Sequence, residues 1–484
     1  MKNTHYDFII VGGGAAASAA AIKAHEQKKK TALINSGLPI GGTCVNVGCL
    51  PSKTLLFAAE TMHHAKHHGI PGIDSGVNSF DFKRVIEDEL ALVEFMRENK
   101  YRKTLEDMPL LDLIEGSARF VSENEIEVHP STGSGQAGEI LSADKFLIAT
   151  GSKANVPPIK GIEETGYLTH IEALQIKELP KEMVIVGAGP VGLEFAQMYA
   201  RFGTKVTLLQ RESVILPHAE QELVLQLKAS LEKEGIAIAL DANVEGAHKE
   251  GERKVVTYSQ GGETKEVVCD QILLAAGKTP NTRELNLESA GVATNEQHAV
   301  VVSPTLQTSQ AHIFAAGDVV ALPRRLETTA GREGTIAAEN ALRLADARSG
   351  QALKSIDYNT VPYAIFTDPQ LASVGYTEEA QTNELGVCAC RTVSFEQVPK
   401  AKIMRRTEGM IKMGIHPKTG VIMGVHILGP NAADLISEAM VLVKNKNTID
   451  DVVNSLPMFP TLSEAMKYVA LSFTKDINKL SCCI

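Results

Sequence analysis

The distribution of apolar residues repeats one plan twice along the chain. Residues 6–34 contain an apolar run, a glycine-rich turn, an alanine-rich helical stretch and a second apolar run. Residues 183–209 follow the same order, about 175 residues later. A short apolar run bounded by turn residues is typical of a buried strand, and the longer stretch predicts a helix. Two copies of a strand–helix–strand unit predict two dinucleotide-binding domains of the Rossmann type.

The rest of the pattern predicts how the chain divides into domains. The segment 152–162 holds two prolines and is interpreted as the crossing between the two nucleotide-binding domains. Residues 131–139 and 420–430 resemble hairpin segments, and from about Ser355 short strands alternate with amphipathic helices. The fold class is therefore α/β, with two Rossmann-like domains and a C-terminal α+β domain. The predicted domains are a first dinucleotide-binding domain over 1–155 and 283–354, a second dinucleotide-binding domain over 156–282, and a third domain over 355–484.

Composition narrows the range of partners. The chain has 484 residues and a formal net charge of −10. Nucleic acids and anionic membranes both select basic surfaces, so this charge argues against either as the main partner. No apolar run reaches the ~18 residues of a membrane span, and the first residues lack the pattern of a signal peptide. Seven cysteines in this context indicate thiol or redox chemistry in a cytoplasmic protein.

The first glycine-rich turn carries a G-x-G-x-x-A fingerprint. Gly12, Gly14 and Ala17 stand at its defining positions, between a strand and a helix. Glycine allows a tight turn and a close approach of a diphosphate to the helix N-terminus. The second strand ends at Asn35, where an acid commonly binds a ribose hydroxyl, and an amide can make the same hydrogen bond. The segment predicts a dinucleotide site.

The second fingerprint is formed by Gly187, Gly189 and Gly192. Its second strand ends in Gln210 and Arg211, where an NAD-specific site would carry an acid. A carboxylate would repel the 2′-phosphate of NADPH, whereas a guanidinium group can pair with it. The sequence therefore favours NADPH, and the alternative is that Arg211 is only a surface residue at a strand end.

A cysteine pair, Cys44 and Cys49, follows the first fingerprint in the segment "GGTCVNVGCLPSK". In a regular helix, residues i and i+5 have Cα atoms ~8–9 Å apart, beyond the ~7 Å limit of a disulfide. The pair therefore needs a distorted turn, which Gly48 makes plausible. Lys53 lies one turn beyond Cys49, and a cation near a helix N-terminus lowers a thiol pKa. This pattern favours a redox pair over two core cysteines or half of a zinc site, for which a second ligand pair is lacking.

Other thiols and a histidine run are interpreted as structural. Cys388 and Cys390 alternate in a predicted strand and share one face, and both are expected to be buried, like Cys269. The run "HHAKHH" at 63–68 lies on a polar helical face, so solvated histidines are expected there instead of a metal site.

Motifs from end to end resemble those of the flavoprotein disulfide reductases, the family of glutathione reductase, dihydrolipoamide dehydrogenase and mercuric reductase. The matching segments are "GGTCVNVGCLPSK", "LIATGS" at 147–152, "LLAAGKTPNT" at 273–282, "IFAAGDV" at 313–319 and "FTDPQLASVGYTE" at 366–378. The resemblance implies a homodimer that uses FAD and NAD(P)H, with an ion pair between Lys53 and Glu194 beside the flavin. The implied FAD residues are Gly12, Gly14, Ala17, Asn35, Thr43, Gly151 and Asp318, and the implied NADPH residues are Gly187, Gly189, Gly192, Arg211 and Gly277.

The C-terminal segments distinguish between members of this family. Its disulfide reductases carry an acid–base histidine in an H-P-T-x-S-E stretch, whereas "FPTLSE" here has Phe459 at that position and keeps Glu464. Phenylalanine cannot transfer a proton, so reduction of glutathione, lipoamide or trypanothione is disfavoured. Mercuric reductases also lack the histidine, although a tyrosine is typical there, and the tail "LSCCI" with Cys482 and Cys483 is similar to theirs. Tyr101 lies where they place an active-site tyrosine.

The resemblance implies that Hg(II), a soft cation with high affinity for thiolates, is passed from its thiol complexes through successive dithiols. Cys482 and Cys483 of the partner subunit would collect the metal and transfer it to Cys44, the exchange thiol, and Cys49, the flavin-side thiolate. Tyr101 would orient the bound metal while reduced flavin delivers two electrons. Two other functions stay open: reduction of another disulfide or small thiol substrate, and metal binding or redox sensing without catalysis.

Overall fold

The structure, a computed structural model, describes residues 4–130, 138–344 and 352–481. The predicted hairpin segment at 131–139 falls largely outside these ranges, and so do Cys482 and Cys483. Within the described ranges, no helix combines the length and apolar character that crossing a membrane requires.

The secondary structure comprises fifteen helices and twenty strands in the described residues, apart from short 3₁₀ and π-helical turns. The helices are α1 (Ala15–Glu26), α2 (Gly42–Val47), α3 (Cys49–His67), α4 (Phe82–Met96), α5 (Lys103–Glu106), α6 (Ile162–Thr165), α7 (His170–Ala173), α8 (Pro190–Phe202), α9 (Gln221–Lys233), α10 (Glu327–Leu344), α11 (Glu378–Leu385), α12 (Pro399–Met404), α13 (Ala432–Lys444), α14 (Ile449–Val453) and α15 (Glu464–Leu471). The strands are β1 (Thr4–Val11), β2 (Thr31–Asn35), β3 (Leu111–Ser122), β4 (Glu125–Pro130), β5 (Glu139–Ile148), β6 (Ser152–Ala154), β7 (Glu182–Val186), β8 (Lys205–Leu209), β9 (Ala237–Ala239), β10 (Asn243–Glu250), β11 (Arg253–Gln260), β12 (Glu263–Cys269), β13 (Gln271–Leu274), β14 (Lys278–Pro280), β15 (Ile313–Ala315), β16 (Tyr363–Ile365), β17 (Gln370–Gly375), β18 (Ala389–Ser394), β19 (Met410–Ile415) and β20 (Ile422–Gly429).

The chain divides into two compact units. The first unit comprises Met1–Thr54, Ile86–Asn155 and Gly277–Tyr358, and the second comprises Leu55–Val85, Val156–Ala276 and Asn359–Ile484. The boundaries of the three domains drawn from the sequence stay a prediction.

The first unit is built on a parallel sheet with the strand order β3-β2-β1-β5-β15. Strand β4 pairs antiparallel with the C-terminal part of β3 and with the N-terminal part of β5. All five residues of β2 are buried, which explains the continuous apolar run, because helices or loops cover both faces of a parallel sheet. The first predicted strand–helix–strand unit is confirmed.

Small side chains bring α1 and α10 together in the first unit. Ala16, Ala17, Ala20 and Ala24 of α1 are buried. A Cβ added to Gly334 of α10 would lie 2.0 Å from the backbone oxygen of Ala16. The alanine-rich sequence of α1 therefore allows close contact between the two helices. This contact places α10 near the first glycine-rich turn.

The second unit contains a parallel sheet of order β13-β7-β8-β9 and an antiparallel sheet of order β16-β17-β20-β19-β18. Strands β10, β11 and β12 form a further antiparallel sheet. The second strand–helix–strand unit and the C-terminal α+β arrangement are thus confirmed, as is the predicted fold class.

Residues 420–430 belong to a β-hairpin, but they supply only its second strand and do not form a whole hairpin by themselves. Most of this run is the single strand β20, which pairs antiparallel with β19. Gly424 does not turn the chain. A Cβ at that position would lie 2.1 Å from the backbone oxygen of Tyr376, so close packing requires the glycine.

The histidine run at 63–68 is not simply solvated, because His64 joins an ion-pair cluster in the second unit. His64 Nε2 lies 3.0 Å from Asp368 Oδ2 and 3.4 Å from Glu60 Oε1. Arg201 Nη2 lies 2.9 Å from Asp368 Oδ2, and Arg406 pairs with the other Asp368 oxygen. The polar face of this helix therefore packs against charged partners that are distant in sequence.

This cluster predicts a pH-dependent stability. Asp368 and Glu60 raise the pKa of His64 from 6.5 to about 9. The ion pairs of protonated His64 therefore add to the free energy of unfolding in full below pH 6.5, and this stabilisation is lost as pH rises through about 9. We expect His64→Gln to destabilise the protein by ~1–2 kcal/mol at pH 6, after allowance for solvent screening, and by much less at pH 10. Thermal unfolding of wild type and variant across this range measures the difference. His67→Gln, at an exposed ring, is the control, and a pH-independent loss in His64→Gln would contradict the prediction.

Candidate redox site

The two cysteines of the first unit lie at a break between helices. Helix α2 ends at Val47, Gly48 has φ −133° and ψ −110°, and α3 begins at Cys49. A Cβ on Gly48 would lie 2.8 Å from the oxygen of Thr43 and 3.2 Å from the Cα of Cys44. Only glycine allows this close approach. The distorted turn expected from the cysteine spacing is therefore present.

The broken helix lets the two thiols interact directly. Cys44 and Cys49 are both reduced and share a hydrogen bond between their sulfur atoms. That bond lowers the pKa of Cys49 to about 7; burial opposes the shift and Lys53 assists it. The same bond, together with burial, raises the pKa of Cys44 far above its ordinary value. Cys49 is therefore the member of the pair that ionises as pH rises through about 7, while Cys44 stays protonated and donates to it.

Two further titratable groups act on this pair. Tyr101 lies in a π-helical turn, Arg97–Arg102, and its ring would lie 3.5 Å from a Cβ on Gly41. Burial raises the pKa of Tyr101, and Glu327 raises it further, as do the two thiols, so the phenol stays protonated. Glu327 is the first residue of α10 and also raises the pKa of both cysteines. Sequence reasoning missed Glu327, because no motif marks it and its position depends on how α10 packs.

The first fingerprint forms a cradle that fits a diphosphate. Gly12 has φ +130°, and a Cβ there would lie 2.2 Å from the oxygen of Ala149. Within the described part of the chain, no side chain caps the N-terminus of α1 after Gly14. The first backbone N–H groups of this helix therefore point to a space that suits an anion.

Asn35 lies at the end of β2 as predicted and is buried. Its Nδ2 donates to Glu115 Oε2 at 3.1 Å and to the oxygen of Leu38 at 3.1 Å. Glu115 pairs with Asn35 in the β2–β3 register, so a carboxylate stands beside the position where the sequence lacks one. Sequence reasoning missed Glu115, since only the strand register identifies it.

Asp318 lies in a loop that other side chains fix. Its carboxylate accepts a hydrogen bond from Ser152 Oγ at 2.7 Å. The neighbouring Gly317 has φ +79° and donates its N–H to Glu333 Oε2 at 2.6 Å. Tyr358 donates to the other oxygen of Glu333 at 2.8 Å. The position of Asp318 is thus determined by a hydrogen-bonded network, and its contact with the ribityl chain stays a prediction.

Three other predicted cofactor residues have defined local surroundings. Gly151 and Gly277 have φ +68° and +92°, and a Cβ on either would meet no atom within 4 Å, so open space adjoins both. Thr43 lies in the first turn of α2, two residues after Gly41, which precedes this helix. Their cofactor contacts stay predictions.

The second fingerprint has the same construction as the first. Gly187 has φ +105°, and a Cβ on Gly192 would lie 1.9 Å from the oxygen of Gly187. A Cβ on Gly189, which precedes α8, would meet no atom within 4 Å. The N-terminus of α8 is therefore open and fits a second diphosphate.

Gln210 and Arg211 have different surroundings beside this cradle. Gln210 is buried, and its Oε1 accepts the N–H of Ala188 at 3.0 Å. The Arg211 side chain is 79% exposed and lies 3.1 Å from Glu212 Oε1. Gln210 thus shapes the glycine-rich loop, while Arg211 stays accessible to an anionic ligand.

The remaining predicted residues lie in the second unit or beyond the described ranges. Glu194 is buried, and its Oε1 accepts the N–H of Phe366 at 2.9 Å. Phe459 is 48% exposed. The Lys53–Glu194 ion pair and the roles of Cys482 and Cys483 stay predictions.

Comparisons with known proteins agree with this arrangement. Residues 6–343 match the model of the pyridine nucleotide-disulphide oxidoreductase family, and residues 361–470 match its dimerisation domain. A mercuric reductase of Lysinibacillus sphaericus is 38% identical over 484 residues, which cover 100% of this chain and 85% of that protein. A mercuric reductase of Streptomyces lividans is 36% identical over 483 residues, which cover 99% of each.

Solved structures of one protein share the fold. The HOCl-induced flavoprotein disulfide reductase RclA from Escherichia coli is 29% identical, with a TM-score of 0.84 over 97% of this chain and 100% of its own. Its Cu(II) complex is 30% identical, with a TM-score of 0.85 over 98% of this chain and 100% of its own.

Proposed function

We propose, because this chain belongs to the pyridine nucleotide-disulphide oxidoreductase family, that it reduces Hg(II) to Hg(0) with electrons from NADPH. The observation that carries the proposal is the Cys44–Cys49 pair, whose sulfurs share a hydrogen bond that lowers the pKa of Cys49 to about 7 and raises that of Cys44. Thiolates are the preferred ligands of soft cations such as Hg(II). The names of the relatives and the similarity of the "LSCCI" tail support the same substrate.

Family membership implies a flavin and a nicotinamide nucleotide, and we assign these as FAD and NADPH. The cradle at Gly12 and Gly14 would hold the FAD diphosphate, with Asn35 near the ribose and Asp318 at the ribityl chain. The cradle at Gly187 and Gly189 would hold the diphosphate of NADPH. When bound, the two cofactors supply the two electrons of each turnover.

The thiols would act by ligand exchange on a mercury–thiol complex. The Cys49 thiolate displaces one thiolate ligand from Hg(II), and Cys44 then displaces the second. Cys44 loses its proton in that step, and a displaced thiolate accepts it. Hg(II) bound between the two sulfurs accepts two electrons and leaves as Hg(0), so neither cysteine is oxidised in the net reaction. Tyr101, kept protonated by its surroundings, offers a hydroxyl beside the exchanging sulfurs.

The C-terminal region supports this substrate over a disulfide. Phe459 occupies the position of the family's acid–base histidine, and an aromatic hydrocarbon ring offers no proton to a leaving thiolate. Glu464, which the stretch retains, is buried and accepts the N–H of Thr461 at 3.1 Å. Its carboxylate therefore stabilises the local turn. We propose a homodimer in which Cys482 and Cys483 of the partner subunit deliver Hg(II), consistent with the matched dimerisation domain.

One spectrophotometric assay tests this function. NADPH oxidation by the flavin-loaded protein is followed with and without Hg(II) in excess thiol, and in parallel with oxidised glutathione. We expect oxidation that depends on Hg(II) and little with the disulfide. Disulfide-dependent oxidation would assign the chain to another reductase, and no oxidation with either substrate would indicate a non-catalytic flavoprotein.

Arg211 gives a prediction for nucleotide preference. Replacing it with alanine should raise the KM for NADPH about tenfold, the equivalent of one charge-assisted contact to the 2′-phosphate, with little change for NADH. Steady-state kinetics with both nucleotides measure the effect. Glu212→Gln is the matched control, since removing the neighbouring carboxylate should lower the KM for NADPH. Equal effects on both nucleotides would contradict the assignment.

A further inference from the structure

A second thiol pair lies in the C-terminal antiparallel sheet. The sulfur atoms of Cys388 and Cys390 are 2.6 Å apart. Cys390 lies on β18, and Cys388 lies in the segment that joins α11 to this strand. Both side chains are half-buried, which corrects the expectation that they are core residues, whereas Cys269 is buried as expected.

The exposure of this pair follows from the position of β18. It is an edge strand of the sheet, and Val393 on one face packs into the hydrophobic core. Arg391 lies on that same face, with its guanidinium 5.6 Å from the centre of the Phe473 ring. The cysteines and Thr392 occupy the alternate face, away from this core.

A carboxylate completes a potential ligand set. One oxygen of Glu378, at the start of α11, and the sulfur atoms of Cys388 and Cys390 all lie within 4.8 Å of one another. Glu378 is exposed, so the cluster is open to solvent on that side. Two sulfurs and one oxygen leave a fourth position for water, as in an open tetrahedral site.

The surrounding charges favour a cation. Lys412 is buried and lies 2.5 Å from Glu378, 2.9 Å from Glu220 and 3.1 Å from Glu222. One ammonium group therefore faces three carboxylates, and one of these, Glu378, adjoins the two thiols. Thr392 Oγ1 also donates to Glu222 Oε2 at 3.2 Å, which holds that carboxylate on the cysteine-bearing face of β18.

We propose that Cys388, Cys390 and Glu378 form a binding site for a thiophilic divalent cation of the Zn(II), Cd(II) and Hg(II) class. Binding releases two thiol protons and transfers no electrons. The sulfurs would separate to ~3.8 Å around a tetrahedral ion with bonds of ~2.3 Å, and Cys388 can move because it precedes the strand. The site is separate from the proposed reduction of Hg(II) and does not depend on it.

The same sulfurs could instead form a disulfide, and the carboxylate of Glu378 beside them favours the cation. A cation deprotonates its ligating thiols directly and needs no oxidant. The adjacent carboxylate has a place in a metal site and none in a disulfide.

Cadmium binding tests the proposal on the full-length, flavin-loaded protein, reduced with a phosphine so that no competing thiol is added. Equilibrium dialysis should show that Cys388→Ser/Cys390→Ser binds one Cd(II) fewer per chain than wild type. Cys269→Ser, which removes a buried thiol elsewhere, should bind as many as wild type. Glu378→Gln retains both thiols and should weaken this one site about tenfold.

Melting temperature and flavin absorbance verify that each variant is folded, and Glu378→Gln carries the test if the double serine variant is not. Equal Cd(II) stoichiometry and affinity in all variants would overturn the proposal. A thiol titration of protein purified without reductant provides the other decisive result. If Cys388 and Cys390 are a disulfide there, and the reduced protein binds no additional Cd(II) through them, the pair is a redox element instead.

Discussion

Replacing Cys49 with serine should reduce Hg(II)-dependent NADPH oxidation at least about 1,000-fold, because a serine hydroxyl neither ionises at neutral pH nor binds a soft cation. Cys44→Ser should cause a similar loss in turnover, since one sulfur cannot hold Hg(II) against excess thiol. Both variants should retain bound flavin, and the measurement is steady-state NADPH oxidation with Hg(II) in excess thiol.

The two variants should differ in thiol reactivity. Alkylation of the reduced protein by iodoacetamide should show a thiol with a pKa of about 7, which the structure assigns to Cys49. Its rate should rise as pH increases through that value. The reactive thiol should remain in Cys44→Ser, because the serine hydroxyl can donate the same hydrogen bond, and should disappear in Cys49→Ser. Cys269→Ser is the control, because burial raises the pKa of that thiol to about 11. A low-pKa thiol that persists in Cys49→Ser would contradict the assignment.

Removing the tail pair with Cys482→Ala/Cys483→Ala should reduce turnover about 100-fold when Hg(II) is offered as a bulky thiol complex. A bulky complex needs thiols at the surface to begin ligand exchange, whereas a small complex can reach Cys44 and Cys49 directly. Turnover of a small complex should therefore fall much less. Flavin reduction by NADPH, followed by stopped-flow absorbance, should be unchanged because the tail has no part in it.

Lys479→Ala/Ser481→Ala is the matched control for this experiment, since it alters the same segment and leaves both thiols in place. Leu480 packs against the hydrophobic core of the C-terminal sheet and is unchanged in this control. The control therefore reports whether altering the residues on either side of Leu480 affects turnover when both thiols are present. Equal turnover of the bulky complex by wild type and the double alanine variant would refute delivery by the tail.

Features that depend on local covalent geometry could be predicted from the sequence. The glycine-rich turns require positive φ or close approach at fixed spacings, and the structure has both at Gly12 and Gly187. The break at Gly48 was predictable because a regular helix cannot bring residues i and i+5 into contact. These conclusions need no knowledge of distant segments.

Features that depend on long-range packing could not be predicted. Glu115 adjoins Asn35 through strand register, and Glu327 acts on the thiols through the packing of α10. His64 lies on a polar helical face as expected, but its partner Asp368 is distant in sequence. Cys390 is on an edge strand, whose outer face is half-buried instead of forming core. In each case the decisive neighbour is set by tertiary structure.

The discontinuity of the first unit has a consequence for biosynthesis. Strand β5 ends at Ile148, but its parallel neighbour β15 begins at Ile313 and α10 ends at Leu344. At typical translation rates of ~5–20 residues per second, roughly 10 to 40 s separate the emergence of β5 from that of α10. During this interval residues 146–148 of β5 lack their neighbour β15, although β4 already pairs with the start of β5, and α1 lacks the helix that covers its alanine face. We therefore expect flavin binding to be a late event on the ribosome, after the segment Val156–Ala276 has already had time to fold.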